Sequence, residues 1–333
     1  MLKGEIVKSY LARFPKAASK TLALLIYREN PEVWTDVETV RTLVRMYRGN
    51  KGKYHREKMK DKTFYKENGV SGNPFIKLPE GEKSLDWNVF KIVGTEKILI
   101  LSDIHIPYYD KNILEIAIEG GKKIEPTVIL LNGDICDHYS QSRWETDPRE
   151  RDFPYEIELT KLFLAYLRQN FPKSRIIWKH GNHEERYERY MMLKAPELLG
   201  IPDFEYERVY DLAKYGVELV KDKRPMKINK LHVIHGHEYK FVISNPVNPA
   251  RGLFLRAKAN CLCGHFHQSS THSGKNIDDK IITTWSTGSL CELHPKYMPL
   301  NEHNHGFATV ETDGDESFLV NNYKIINDKI YNA

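Results

Sequence analysis

Five apolar runs in this 333-residue chain each end in side chains that can hold a divalent cation. Lys97-Ile-Leu-Ile-Leu-Ser-Asp-Ile-His105 reads as a buried strand that delivers Asp103 and His105 at its C-terminal end. The same pattern recurs in Thr127 to Asp137, which carries Asp134 and Asp137, and in Arg175 to Glu184, which carries Asn182 and His183. It returns in Leu231 to His235, and in Asn260 to His267, which carries His265 and His267. Helix-like stretches at 112–123 and 155–169 alternate with the first runs, which predicts a layered α/β architecture whose ligands collect outside the carboxyl ends of the strands. If those ends converge, Asp103, His105, Asp134, Asn182, His235, His265 and His267 meet. Carboxylate, imidazole and amide-oxygen donors suit borderline or hard divalent ions such as Mn²⁺, Fe²⁺ or Zn²⁺; Mn²⁺ is the expected one, with Fe²⁺, Zn²⁺ and Ni²⁺ as alternatives. Seven donors exceed the needs of one ion. A shared carboxylate between two ions would leave each about four protein ligands and open positions.

A single Asp-x-His or Gly-His-x-His has little weight, since an isolated buried histidine is usually a hydrogen-bonded core residue. Their joint order carries more. Asp-x-His at 103–105, Gly-Asp-x-x-Asp at 133–137, Gly-Asn-His-Glu at 181–184, His-Gly at 235–236 and Gly-His-x-His at 264–267 resemble the ordered signature of calcineurin-like metallophosphoesterases, from about residue 97 to at least 267. The strand texture is similar to that of phosphoesterases encoded by phages. The resemblance implies a double-layered β-sandwich flanked by helices, built around a two-metal centre. In that pattern Asp103, His105, Asp134 and His267 hold one ion, Asp134, Asn182, His235 and His265 hold the other, and a metal-bound hydroxide is the nucleophile. His183 matches the catalytic histidine, and Asp137 the carboxylate that orients it and keeps it protonated; a helix N-cap is the plainer reading of Asp137. One departure stands out. The family's Ser/Thr protein phosphatases follow Gly-Asp-x-x-Asp with Arg-Gly, whereas His138-Tyr139 stands here. Without that clamp for a dianion, a phosphodiesterase or nuclease is the leading expectation. The alternatives are a phosphomonoesterase acting on nucleotides or phosphoproteins, and a catalytically silent nucleic-acid-binding or structural protein. Arg143 and Arg186 are nearby cations able to touch phosphate, though each is expected at the surface.

The charge is uneven. Residues 1–66 hold 16 Lys+Arg against 7 Asp+Glu, and the remainder 34 against 38. Ile6, Val7, Tyr10, Leu11 and Phe14 share one stripe of a helix stopped by Pro15; Leu22 to Tyr27 form a second, closed by Asn30-Pro31. Thr35-Asp-Val-Glu38 reads as a capping box before a third. Arg41, Arg45 and Arg48 form a stripe beside its packing face, and Lys51 and Lys53 continue the basic character. Residues 1–60 are therefore expected to be an all-α, helix-turn-helix-like module binding nucleic acid, 61–95 a linker rich in turn formers, and 96–333 the catalytic domain. A solvated helix face is the bland alternative for the arginines. Cys136, Cys261 and Cys263 are expected to pack, His180 and His232 to make core hydrogen bonds, and His237 to support a ligand. The polar loop 292–304 is expected either to line the cleft or to cap the sheet. With no long apolar run, no signal-peptide pattern and four cysteines, the expectation is a cytoplasmic protein with no membrane contact; oligomeric state is not legible.

Overall fold

A computed structural model describes residues 2–49, 88–221, 223–239, 247–314 and 317–333. The chain divides between Ser84 and Leu85 into two compact units. Most of the expected linker, 61–87, and Lys51 and Lys53 lie outside the described residues.

The first unit contains three helices, α1 Lys3–Arg13, α2 Ser19–Glu29 and α3 Val37–Tyr47. Their inward stripes meet in a core of Val7, Leu11, Leu22, Ala23, Ile26, Val40 and Val44, closed by Trp34. The third helix is capped differently from its sequence pattern. Asp36, not Thr35, is the N-cap, its Oδ1 accepting from the Thr39 amide at 2.8 Å. Glu38 pairs along the helix with Arg41, Nη1 to Oε2 3.1 Å, instead of reaching back. The arginine stripe also divides. Arg48 donates to Ser19 Oγ at 3.1 Å and to the Pro15 carbonyl at 3.3 Å, which pins the end of α3 to the start of α2. Arg45 is the exposed member.

The second unit packs two sheets face to face. One has the order β13-β12-β11-β2-β3-β4-β5. Its strands are β2 Lys97–Leu101, β3 Val128–Asn132, β4 Arg175–Lys179, β5 Val217–Val220, β11 His305–Thr312, β12 Phe318–Ile326 and β13 Lys329–Asn332. The other has the order β1-β6-β7-β8-β10-β9, from β1 Phe90–Ile92, β6 Met226–Ile228, β7 Leu231–Val233, β8 Cys261–Cys263, β9 Ser270–Lys275 and β10 Ile281–Ser286. Strand β1, inside the stretch expected as linker, pairs with β6 along one edge.

The apolar runs are continuous because β2, β3 and β4 are buried on both faces. Ile98, Ile100, Val128, Leu130 and Ile177 meet the second sheet, while Leu99, Leu101, Ile129, Leu131, Ile176 and Trp178 meet the helical layer. Each such side chain contributes roughly 1.5–3 kcal/mol of burial. That helical layer is α4 Lys111–Lys122, α5 Phe153–Asn170 and α6 Glu184–Lys194. Because β2, β3 and β4 run parallel, their carboxyl ends open on one edge of the sandwich. Among the described residues no helix is long and apolar enough to cross a membrane.

Candidate metal centre

The seven expected ligands lie in the turns just beyond β2, β3, β4, β7 and β8, and five of them have left-handed backbone. Asp103, His105, Asp134, His265 and His267 have φ between 52° and 70°. Non-glycine residues adopt that region rarely and at a cost, and such strain concentrates at functional sites. Here it turns each side chain off its strand end and back over the edge of the sandwich. Gly181 is required for the same packing, since a Cβ there would overlap the Asp134 carboxylate and amide.

Asp134 is the centre of the arrangement. Its Oδ2 lies 3.1 Å from His235 Nε2, 3.8 Å from His183 Nε2 and 3.9 Å from His105 Nε2. On one side, Asp103, His105 and Asp134 offer ligand atoms within 4.8 Å of one another; on the other, Asp134, His235 and His265 do so. His267 joins the first group, its Nε2 3.3 Å from Asp103 Oδ1 and 3.2 Å from His105 Nε2. Asn182 belongs to the turn after β4, and its Oδ1 is buried without a hydrogen-bond partner. A buried acceptor left unmade costs about 1–3 kcal/mol, a cost that coordination to a cation would remove. Two overlapping donor groups sharing one carboxylate, plus this unpaired amide oxygen, fit a pair of divalent ions.

The charges support the fit. Burial opposes ionisation of Asp103 and Asp134, yet His267 beside the first and His235 beside the second hold both carboxyls well below the usual range. Burial likewise opposes charge on His235, but Asp134 drives its pKa up to about 10. The carboxylates are thus neutralised by imidazolium protons, which bound cations would displace. His265 is held neutral, near 3, by burial and then by His235, so its lone pair is free for coordination.

The surrounding groups fix this edge. Glu184 Oε1 and Oε2 accept from the amides of Asp134 at 3.0 Å, Ile135 at 2.7 Å, Cys136 at 3.3 Å and Gly181 at 2.7 Å, tying the turn after β3 to that after β4. His235 Nδ1 faces the Asn132 carbonyl at 2.8 Å, which directs Nε2 to the site. Glu238 accepts from the His235 and Gly236 amides and pairs with the fully buried Lys179, Nζ to Oε1 2.7 Å. Cys291 Sγ approaches His267 Nδ1 at 3.8 Å, so this thiol has a different setting from Cys136, Cys261 and Cys263, which pack in apolar clusters.

His183 occupies the N-cap position of α6, and its Nδ1 is 3.0 Å from Asp137 Oδ1 and 2.8 Å from the Asp137 carbonyl. Asp137 caps none of the described helices; its Oδ1 also lies 3.0 Å from His105 Nδ1, so one carboxylate steadies two imidazoles. Burial disfavours the charged form of His183, but Asp134 and then Asp137 outweigh it and raise the pKa. Arg186 is not the surface residue its sequence setting suggests: one turn into α6, only 16% of its side chain is exposed, and Nη2 lies 2.8 Å from His183 Nε2. Arg143 is exposed, stacked on Trp144. His138 is fully buried among Phe153, Tyr187, Tyr206 and Tyr210. His180 departs from expectation, since its buried Nε2 has no hydrogen-bond partner, whereas His237 Nε2 meets Glu185 Oε1 at 2.9 Å. The 292–304 loop reaches the site at His303, whose ring centre is 4.6 Å from that of His267. Arg41, Arg45 and Arg48 lie in the other unit.

Against known families, the calcineurin-like phosphoesterase model matches residues 96–287. The chain belongs to that family. This metal-dependent phosphoesterase is 25% identical over 232 residues to the gene 54 protein of Mycobacterium phage L5, a match covering 66% of the chain and 90% of its relative. The phage D29 gene 54 protein is 24% identical over 233 residues, covering 66% and 91%. Similar solved structures include Yfce, a phosphoesterase from E. coli, at 14% identity and TM-score 0.33, covering 67% of this chain and 96% of that one. Another is the Pseudomonas putida nuclease MPE, at 11% identity and TM-score 0.31, covering 71% and 87%.

Proposed function

We propose that this phosphoesterase uses two divalent ions, Mn²⁺ foremost, to hydrolyse phosphodiesters, with nucleic acid as the substrate class. The observation that carries the two-ion reading is the buried Asp134 carboxylate shared between the Asp103–His105–His267 group and the His235–His265 group. Asn182, whose buried Oδ1 has no hydrogen-bond partner, would complete the second group. When bound, the ions would supply Lewis-acid charge and an activated water. The protein's own residues account for the rest. His183, whose Nε2 accepts from Arg186 Nη2 in this arrangement, would carry a proton there for the developing charge or the leaving oxygen once that nitrogen turns to an anion, while Asp137 fixes Nδ1. Glu184 holds the two turns in register.

The diester preference is supported by the core placement of His138, which leaves no cation at the residue after Asp137. Nucleic acid is supported by the excess of 16 Lys+Arg over 7 Asp+Glu in residues 1–66, because clustered cations bind a phosphate backbone by releasing its counterions. The test offers the full chain a chromogenic diester, a matching monoester, single-stranded DNA and RNA, with Mn²⁺ and with chelator. Hydrolysis of the diester and of one nucleic acid, lost on chelation, is expected. Turnover of the monoester alone would discard the diester reading.

A further inference from the structure

We infer that Arg186 is the phosphate-gripping residue of this site, donating one N–H to a non-bridging oxygen beside His183; this rests on the phosphoester reading above. Arg186 lies in the first turn of α6, where the helix dipole disfavours a cation. Its guanidinium is nevertheless drawn into the site. Nη1 donates to the Asp137 carbonyl at 3.0 Å and lies 3.8 Å from Asp137 Oδ2, while Nη2 is brought to 2.8 Å from His183 Nε2. His183 Nε2 is in turn 3.8 Å from Asp134 Oδ2. A guanidinium nitrogen and the imidazole face used for proton transfer therefore converge beside the shared carboxylate. An anion held at the metal pair would be within reach of both.

Nη1 is anchored on the Asp137 carbonyl, so Nη2, the nitrogen that faces His183 Nε2, is the one placed to make a charge-assisted bond to an anion beside the shared carboxylate. With His138 turned into the aromatic core, Arg186, held on the Asp137 carbonyl, is the cation placed for the anion contact.

Binding of inorganic phosphate to the Mn²⁺-loaded full chain, followed by calorimetry, tests this without turnover. R186A should weaken phosphate binding roughly ten- to hundredfold, with metal content unchanged, and R186K should recover part of the loss. In hydrolysis the same variants should raise KM for a diester more than they lower kcat. Unchanged phosphate affinity in R186A, or a fall in kcat alone with a shifted pH profile, would overturn the inference and leave Arg186 as a support for Asp137 and His183. Intact phosphate binding that depends on Arg186, in a protein that hydrolyses no phosphoester, would instead count against the phosphoester reading alone.

Discussion

The two units place their polar residues by opposite rules. At the strand ends of the second unit, Asp103, Asp134 and His235 are almost completely buried, and several ligands sit in left-handed backbone. In the helical unit the core is built of hydrophobic side chains and the arginines of α3 stay outside it, Arg41 pairing with Glu38 and Arg48 holding Ser19 and the Pro15 carbonyl. Burying charge is expensive unless it is paired, so an edge that collects carboxylates and imidazoles needs a compensating function. A basic helix face needs none, since water solvates it at little cost. Geometry alone therefore argues strongly for the metal centre, whereas a nucleic-acid role for the helices rests on charge that has other uses.

The sharpest way to break this contrast is to remove its central group. Asp134→Asn should abolish binding of at least one ion and lower hydrolysis on the order of a thousandfold or more, because one substitution weakens both ligand groups. Metal analysis of the dialysed variant beside its rate checks this; full metal content with near-normal turnover would show that Asp134 is not shared.

A large effect is also expected from a residue that touches no ligand atom. Glu184→Gln keeps the size but replaces one accepting oxygen with a donor, facing the amides of Gly181, Asp134, Ile135 and Cys136. The second unit should lose about 3 kcal/mol of stability, and metal affinity should fall roughly ten- to hundredfold. Urea unfolding and metal titration measure the two effects separately. If stability falls while affinity does not, Glu184 supports the fold rather than the site.

How far the site was legible follows from what kind of contact each residue makes. The ligands could be read because each follows its own apolar strand within a few residues, a short-range pattern. The burial of Arg186 and the places of Cys291 and His303 could not, since the contacts of Arg186 with Asp137 and of the other two with His267 exist only after separate turns are packed together. Arg186 did leave one signal, a cation in the first turn of a helix directly after His183. The cap of α3 is not decided by the sequence, because adjacent Thr35 and Asp36 are both good N-caps and only the backbone chooses between them. Strands β1 and β6 are three residues each and follow turn-rich sequence, too short to show a period, and β12 and β13 carry weak alternation at the chain's end.

A further effect separates buried charge from surface charge by pH. Burial, followed by repulsion from Asp137, raises the Glu156 carboxyl from 4.5 to about 8. The folded chain then keeps a proton that the unfolded chain has lost, so stability falls as pH rises through that window, by at most about 1.4 kcal/mol per pH unit. Glu156→Gln should flatten this slope between pH 5 and 8. An unchanged slope would show that Glu156 ionises normally despite its burial.

The smallest effects divide the arginines of the helical unit. Arg48 holds Ser19 and the Pro15 carbonyl, so Arg48→Gln should cost that unit about 1 kcal/mol and change nucleic-acid affinity chiefly through folding. Arg45 is exposed, so Arg45→Gln should leave stability within about 0.5 kcal/mol. If the unit binds nucleic acid through this face, Arg45→Gln should also lower the slope of log affinity against log salt by about one. A salt slope that does not change on losing Arg45 would separate the basic helices from the substrate and leave their charge as solvation of a surface. The metal centre would keep its argument, because buried Asp134 and unpaired Asn182 require an explanation whatever the helices do.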